Sequence, residues 1–136
     1  MSDEENIRLI QAFMQGHDPK MVADDATYQD FTSPEPLRGR VAVGQMLDML
    51  YRTAFPDARS DIRQMMAGDG RVVVEFTFRG VNSGNLMGVP ATHRQVEIPM
   101  CGVYEIAGEA IQAVRLYYDS AQLTRQLGLA PATAQL

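Results

Sequence analysis

Asp119 stands between Tyr118 and Ser120 at the end of an alternating run, Ala110 to Tyr118, where a carboxyl group could move protons. It shares strand parity with Ile111, Ala113, Arg115 and Tyr117. Turned into an apolar pocket, such a carboxyl favours its neutral form and can serve as a general acid or base. The same residue also reads without chemistry. Asp119, with Gln122 three positions on, has the spacing of a helix N-cap and capping box. A carboxylate that holds backbone amides is a weaker base, so the two roles compete.

Tyr28 and Asp30 lie two apart in a short β-branched and aromatic stretch and should face one side. There one of them could hydrogen-bond a substrate carbonyl; otherwise they are a rim tyrosine and a solvated acid. Tyr117 and Tyr118 face opposite sides of a strand, and one is expected to line a pocket, with Tyr117 as the candidate. Phe13, Phe31, Met46, Leu50, Phe55, Met65 and Met87 complete the expected lining. Nine Met and no Trp suit an adaptable wall around a flat polycyclic ligand. Methionine at helical spacing is also ordinary core filling.

His93 follows a Pro-Ala-Thr turn with no second ligand at metal spacing, and His17 precedes Asp18 and is expected to be exposed. With these the only two His, and a single Cys, Cys101, no metal site is expected. Cys101 in a strand reads as a small hydrophobe. Phosphate loops, dinucleotide fingerprints and Gly-x-Ser-x-Gly elbows are absent from the sequence.

The elements that must position these residues follow from periodicity. Ser2 and Glu5 have capping-box spacing before Ile7, Ile10, Phe13 and Met14, a helix that Gly16 should stop. Asp18-Pro19 should open a short helix burying Met21 and Val22. Thr27 to Phe31 reads as a short strand, and Gly39 to Ala54 as a long amphipathic helix ended by Phe55-Pro56-Asp57. Then come strands over Arg59 to Met66, Arg71 to Gly80, Val96 to Ile106 and Ala110 to Tyr118. Gly68-Asp69-Gly70 and Ala107-Gly108-Glu109 are the turns, and Asn82 to Pro90 is a loop. A helix over Asp119 to Leu127 stops at Gly128. Helices followed by strands joined through tight turns predict an α+β fold. Its expected form is a curved antiparallel sheet wrapped around the N-terminal helices, a cone with an internal pocket.

The 136 residues carry 12 Lys and Arg against 17 Asp and Glu, a net charge of −5, which argues against nucleic-acid and anionic-membrane partners. The length fits a single domain over 1–129 with a flexible tail over 130–136. The acidic N-terminus lacks the pattern of a signal peptide, so a cytoplasmic location is expected.

The order of several short motifs resembles a known family. Leu37-Arg38-Gly39 opens a helix, Phe55-Pro56-Asp57 closes it, and Gly68-Asp69-Gly70-Arg71-Val72-Val73 opens a strand. Gly84-Asn85-Leu86-Met87-Gly88-Val89-Pro90 fills a loop, and Tyr117-Tyr118-Asp119 and Gln126-Leu127-Gly128 follow. This order is similar to that of the SnoaL-like polyketide cyclases of the nuclear transport factor 2-like superfamily, over about residues 5 to 129.

The resemblance implies a cystatin-like α+β cone and a pocket for a hydrophobic small molecule. It implies Asp119 as acid/base in a cofactor-independent ring closure of intramolecular aldol type, and a homodimer. It equally admits a non-catalytic binding module, or an isomerase, dehydratase or epoxide hydrolase on the same fold. Two segments depart from the family pattern. Gly80-Val81-Asn82 stands where Gly-Thr-His is frequent, and Ala91-Thr92-His93 where Pro-Thr-Gly is frequent, which puts a side chain where a glycine usually turns.

Overall fold

Ser2 starts the first helix as its spacing predicts. In the computed structural model its hydroxyl accepts the Glu5 N–H at 3.1 Å, and the Glu5 carboxylate accepts the Ser2 N–H at 3.3 Å. The structure describes residues 1–129; the tail expected over 130–136 lies outside the described residues. Helix α1 (Asp3–Gly16) buries Ile10, Phe13 and Met14. It runs through Gly16 and ends at His17, whose φ of 49° is left-handed. His17 is buried, not exposed, with 8% of its surface accessible. The left-handed cap swings the ring back over Phe13, against which it packs edge-on at 5.2 Å.

Asp18 caps a single 3-10 turn, Pro19–Met21, by accepting the Lys20 N–H at 2.9 Å. Val22 then opens strand β1 (Val22–Gln29) instead of completing a helix. The strand begins five residues before the predicted start, and its register against β6 shifts between Val22 and Thr27. That irregularity exposes Asp24 and Asp25 side by side and hides the period-two alternation. Phe31 lies beyond the strand end, with φ 63°.

Leu37–Arg38 form a two-residue strand, β2, antiparallel to β1, just before the helix expected from Gly39. Gly39 takes φ 91° as the N-cap of α2 (Arg40–Asp48). The predicted helix to Ala54 does continue, but as a π-helical segment, Met49–Ala54, in which the Phe55 N–H reaches the Leu50 carbonyl at 2.9 Å.

Strands β3 (Arg59–Gly68), β4 (Arg71–Val81), β5 (Gln95–Ala107) and β6 (Ala110–Tyr118) follow, then helix α3 (Ser120–Gln126). The tight turns carry positive φ at both central residues: 53° and 72° at Asp69-Gly70, 57° and 66° at Gly108-Glu109. This mirror-image geometry matches the right-handed twist of the flanking strands.

Among the described residues the strands form a six-stranded sheet in the order β2-β1-β6-β5-β4-β3. β1 runs parallel to β6, so the sheet is mixed and corrects the all-antiparallel expectation. Tight turns fix antiparallel neighbours locally, whereas the β1–β6 pair joins segments far apart in sequence. The sheet is curved and unclosed, and with the helices it makes the α+β cone.

Val72, Val74, Phe76 and Phe78 of β4 point into the core beside Val96, Ile98, Tyr104 and Val114. Ile10, Phe13, Leu47 and Phe55 close it from the helical side. No helix among the described residues is long and apolar enough to cross a membrane.

Candidate active site

The helical layer does not fill the sheet's curve completely, and a mainly apolar cavity of about 320 Å³ remains. Such a volume lies at the lower end of small-molecule sites. Tyr28 and Asp30 reach it from the end of β1, and Met46, Leu50 and Phe55 from α2 and the π-helical segment. Met87 reaches it from the loop between β4 and β5. All six are sequence-predicted lining residues that the fold brings together.

The other expected lining residues lie elsewhere. Phe13 is core, packed edge-on against His17 and Tyr104. Met65 is half-buried on β3, the strand at the far edge of the sheet from β1. Phe31 and Tyr117 are both exposed and stack on each other with ring centroids 4.8 Å apart. Tyr118, not Tyr117, faces the cavity. Tyr118 shares the strand face of buried Val114 and Leu116, whereas Tyr117 shares that of Arg115.

Sequence reasoning missed Tyr51, Phe78, Leu86, Met100, Leu116, Leu123 and the polar Thr32, Ser120 and Thr124. Phe78 carried a signal, since it sits on the apolar face of the cleanest strand. Tyr51 carried one too, since it stands four residues after Leu47 and eight after Val43 on the apolar face of the same helix.

Asp119 is the N-cap of α3. Its Oδ1 accepts the amides of Ala121 at 3.0 Å and Gln122 at 3.2 Å. The residue is exposed and is not part of the cavity wall. Gln122 does not complete a capping box in this geometry; the donors of the first turn converge on one carboxylate oxygen. The arrangement gives Asp119 the structural task of capping α3.

Asp30 is the carboxylate in the cavity wall. Its Oδ1 accepts the Thr32 backbone N–H at 3.1 Å and the Thr32 hydroxyl at 2.7 Å. The Tyr118 hydroxyl donates to Oδ2 at 3.4 Å, a long contact. Burial pushes the Tyr118 phenol above its ordinary range, and the nearby Asp30 charge adds to the shift. Burial likewise raises Tyr28 and Tyr51, so the cavity's phenols stay protonated as hydrogen-bond donors.

The loop that brings Leu86 and Met87 to the cavity is anchored by Asn82, which is fully buried. Its Nδ2 donates to the carbonyls of Ala54 at 3.3 Å and Gly84 at 2.8 Å. Its Oδ1 accepts from the Thr92 amide and hydroxyl, both at 2.9 Å. Asn82 is thus a structural knot. His93 is exposed and takes φ 59°. Among the described residues no three His, Cys, Asp or Glu side chains gather as a metal site.

Comparison with known proteins adds to this geometry. No curated protein matches the sequence. A SnoaL-like polyketide cyclase from Jannaschia sp. CCS1, so described, superposes with a TM-score of 0.84 at 14% identity, covering 95% of each chain. A phenazine biosynthesis-related protein of Pseudomonas aeruginosa superposes at 0.77 with 17% identity, over 95% of this chain and 88% of that one. An LEH-like epoxide hydrolase of M. tuberculosis superposes at 0.72 with 21% identity, over 92% and 90%. At these identities the likeness establishes the fold and not the reaction. The sequence profile described as SnoaL-like polyketide cyclase matches residues 7–127, from the first turns of α1 to the end of α3. The chain belongs to the SnoaL-like polyketide cyclase family.

Proposed function

We propose that this protein is a cofactor-independent enzyme that performs acid/base chemistry next to a carbonyl group, with Asp30 as the base. The substrate class is a flat hydrophobic carbonyl compound, a polyketide or a close chemical relative. One observation carries the reading: Asp30 is the carboxylate among the residues lining a mainly apolar cavity.

For a ring closure the balance is simple. Asp30 takes the proton from a carbon flanked by carbonyls, and the electron pair left there forms the new carbon–carbon bond to a second carbonyl of the same molecule. The resulting alkoxide takes the proton back from Asp30. Tyr118, beside Oδ2, can donate a hydrogen bond to the oxygen on which charge develops. The cavity wall supplies folding of the substrate into a reactive geometry. An isomerase would use the same first step and return the proton to another carbon.

The test is solvent-deuterium exchange at the acidic methylene of 2-tetralone, followed by proton NMR. Asp30→Asn should lower the protein-dependent rate at least about a hundredfold. Asp119→Asn, which keeps an N-cap oxygen, should leave it unchanged. Retained exchange in a folded Asp30→Asn protein removes Asp30 from the mechanism. Saturable ketone binding without any exchange by the wild type favours the non-catalytic binding module. The family likeness also supports a homodimer, which sedimentation of the purified chain tests.

A further inference from the structure

Tyr51 borders two hollows. It lines the large cavity beside Leu50 and Phe55, and it also lines a smaller void on the core side with Phe13, His17 and Tyr104. Tyr28 and Leu116 are common to both. These three side chains therefore form the partition between cavity and core. The inner void offers about 10 Å³, at the limit for a single water.

Tyr28 and Leu116 stand on β1 and β6, where paired strands fix their directions. Tyr51 instead stands on the π-helical segment, and its ring is held by neighbours. The His17 imidazole lies parallel to it, with centroids 3.5 Å apart and planes 6° apart. Phe78 meets it edge-on at 6.2 Å. Arg52 ties the same segment to the end of α1 by donating to the Gly16 carbonyl at 3.2 Å. Burial keeps His17 neutral, with a pKa lowered to about 4, so it presents Tyr51 with a flat, uncharged face.

We propose that Tyr51 is the specificity residue that sets how long a flat carbonyl ligand the cavity accepts, by closing its core-side end. Shortening this side chain joins the two hollows into one longer slot. The inference rests on the cavity being the ligand site, and not on Asp30 being the base.

The probes are 2-acetylnaphthalene and 2-acetylanthracene, two-ring and three-ring ketones titrated by their own fluorescence into a chain with no Trp. Tyr51→Ala should shift the ratio of the two dissociation constants toward the three-ring ketone by about tenfold or more. Tyr51→Phe keeps the ring and should hold the wild-type ratio within about twofold. Should the alanine variant fail to give a cooperative melt, Tyr51→Leu carries the same test, since it shortens the side chain while retaining apolar contact with Phe78. Equal changes for both ketones overturn the proposal. No binding of either ketone to any of these proteins overturns it together with the cavity reading. The proton-transfer reading is decided apart from both, by exchange in Asp30→Asn.

Discussion

Asp30 and Asp119 both follow the end of a strand, yet the chain after each turns differently. After Asp119 the backbone enters α3, whose first free amides converge on the carboxylate. After Asp30 it passes through the left-handed Phe31, and Thr32 folds back onto Oδ1 while Oδ2 stays toward the cavity and Tyr118. A cap is replaceable by any short acceptor, whereas a base is not. Asp119→Ala should therefore cost about 1 kcal/mol in urea unfolding, and Asp119→Asn only a few tenths. Neither should alter ketone affinity. A loss of proton exchange in folded Asp119→Asn would instead return the chemistry to that residue.

The loop after β4 shows how an element is held in place by one side chain. Asn82 satisfies acceptors on the π-helical segment and within the loop, and accepts two bonds from Thr92. Asn82→Ala strands these groups away from water. It is expected to cost about 2–3 kcal/mol in thermal or urea unfolding and to weaken ligand binding through Leu86 and Met87. Gly84 makes the same point by its lack of a side chain, because a Cβ there would lie 2.0 Å from the Thr53 carbonyl oxygen. Gly84→Ala must displace either the loop or the π-helical segment. The expected readout is loss of ketone affinity with the sheet's far-ultraviolet dichroism retained; unchanged affinity would mean the loop is not a cavity wall.

At the scale of the whole molecule, His17 links packing to pH. In the folded chain its imidazole stays neutral down to about pH 4, mainly through burial and secondarily through Arg52. In the unfolded chain the group takes up its proton near the ordinary histidine value of 6.5. Between these pH values the unfolded state binds more protons, so stability rises with pH. The contribution is complete above the upper value and declines as pH falls through the window, by roughly 3 kcal/mol in all. His17→Phe keeps a flat ring against Tyr51 and should flatten the dependence of melting temperature on pH in that range. An equally steep dependence in the variant would assign the acid sensitivity to other groups.

Much of the architecture was legible in residue order because it is decided locally. The Ser2 capping box, the Asp69-Gly70 and Gly108-Glu109 turns, the alternation of β4 and the bounds of β6 each depend on neighbours a few residues away. The apolar phases of α2 and β1 likewise carried Met46, Leu50, Tyr28 and Asp30 to one place. What the sequence left open depends on contacts between distant segments. The parallel pairing of β1 with β6 and the burial of His17 against Tyr51 both belong to this class. So does the setting of the two aspartates: both carboxylates accept backbone amides, but which of them also borders the cavity depends on where the following chain is packed, and only the tertiary structure decides that.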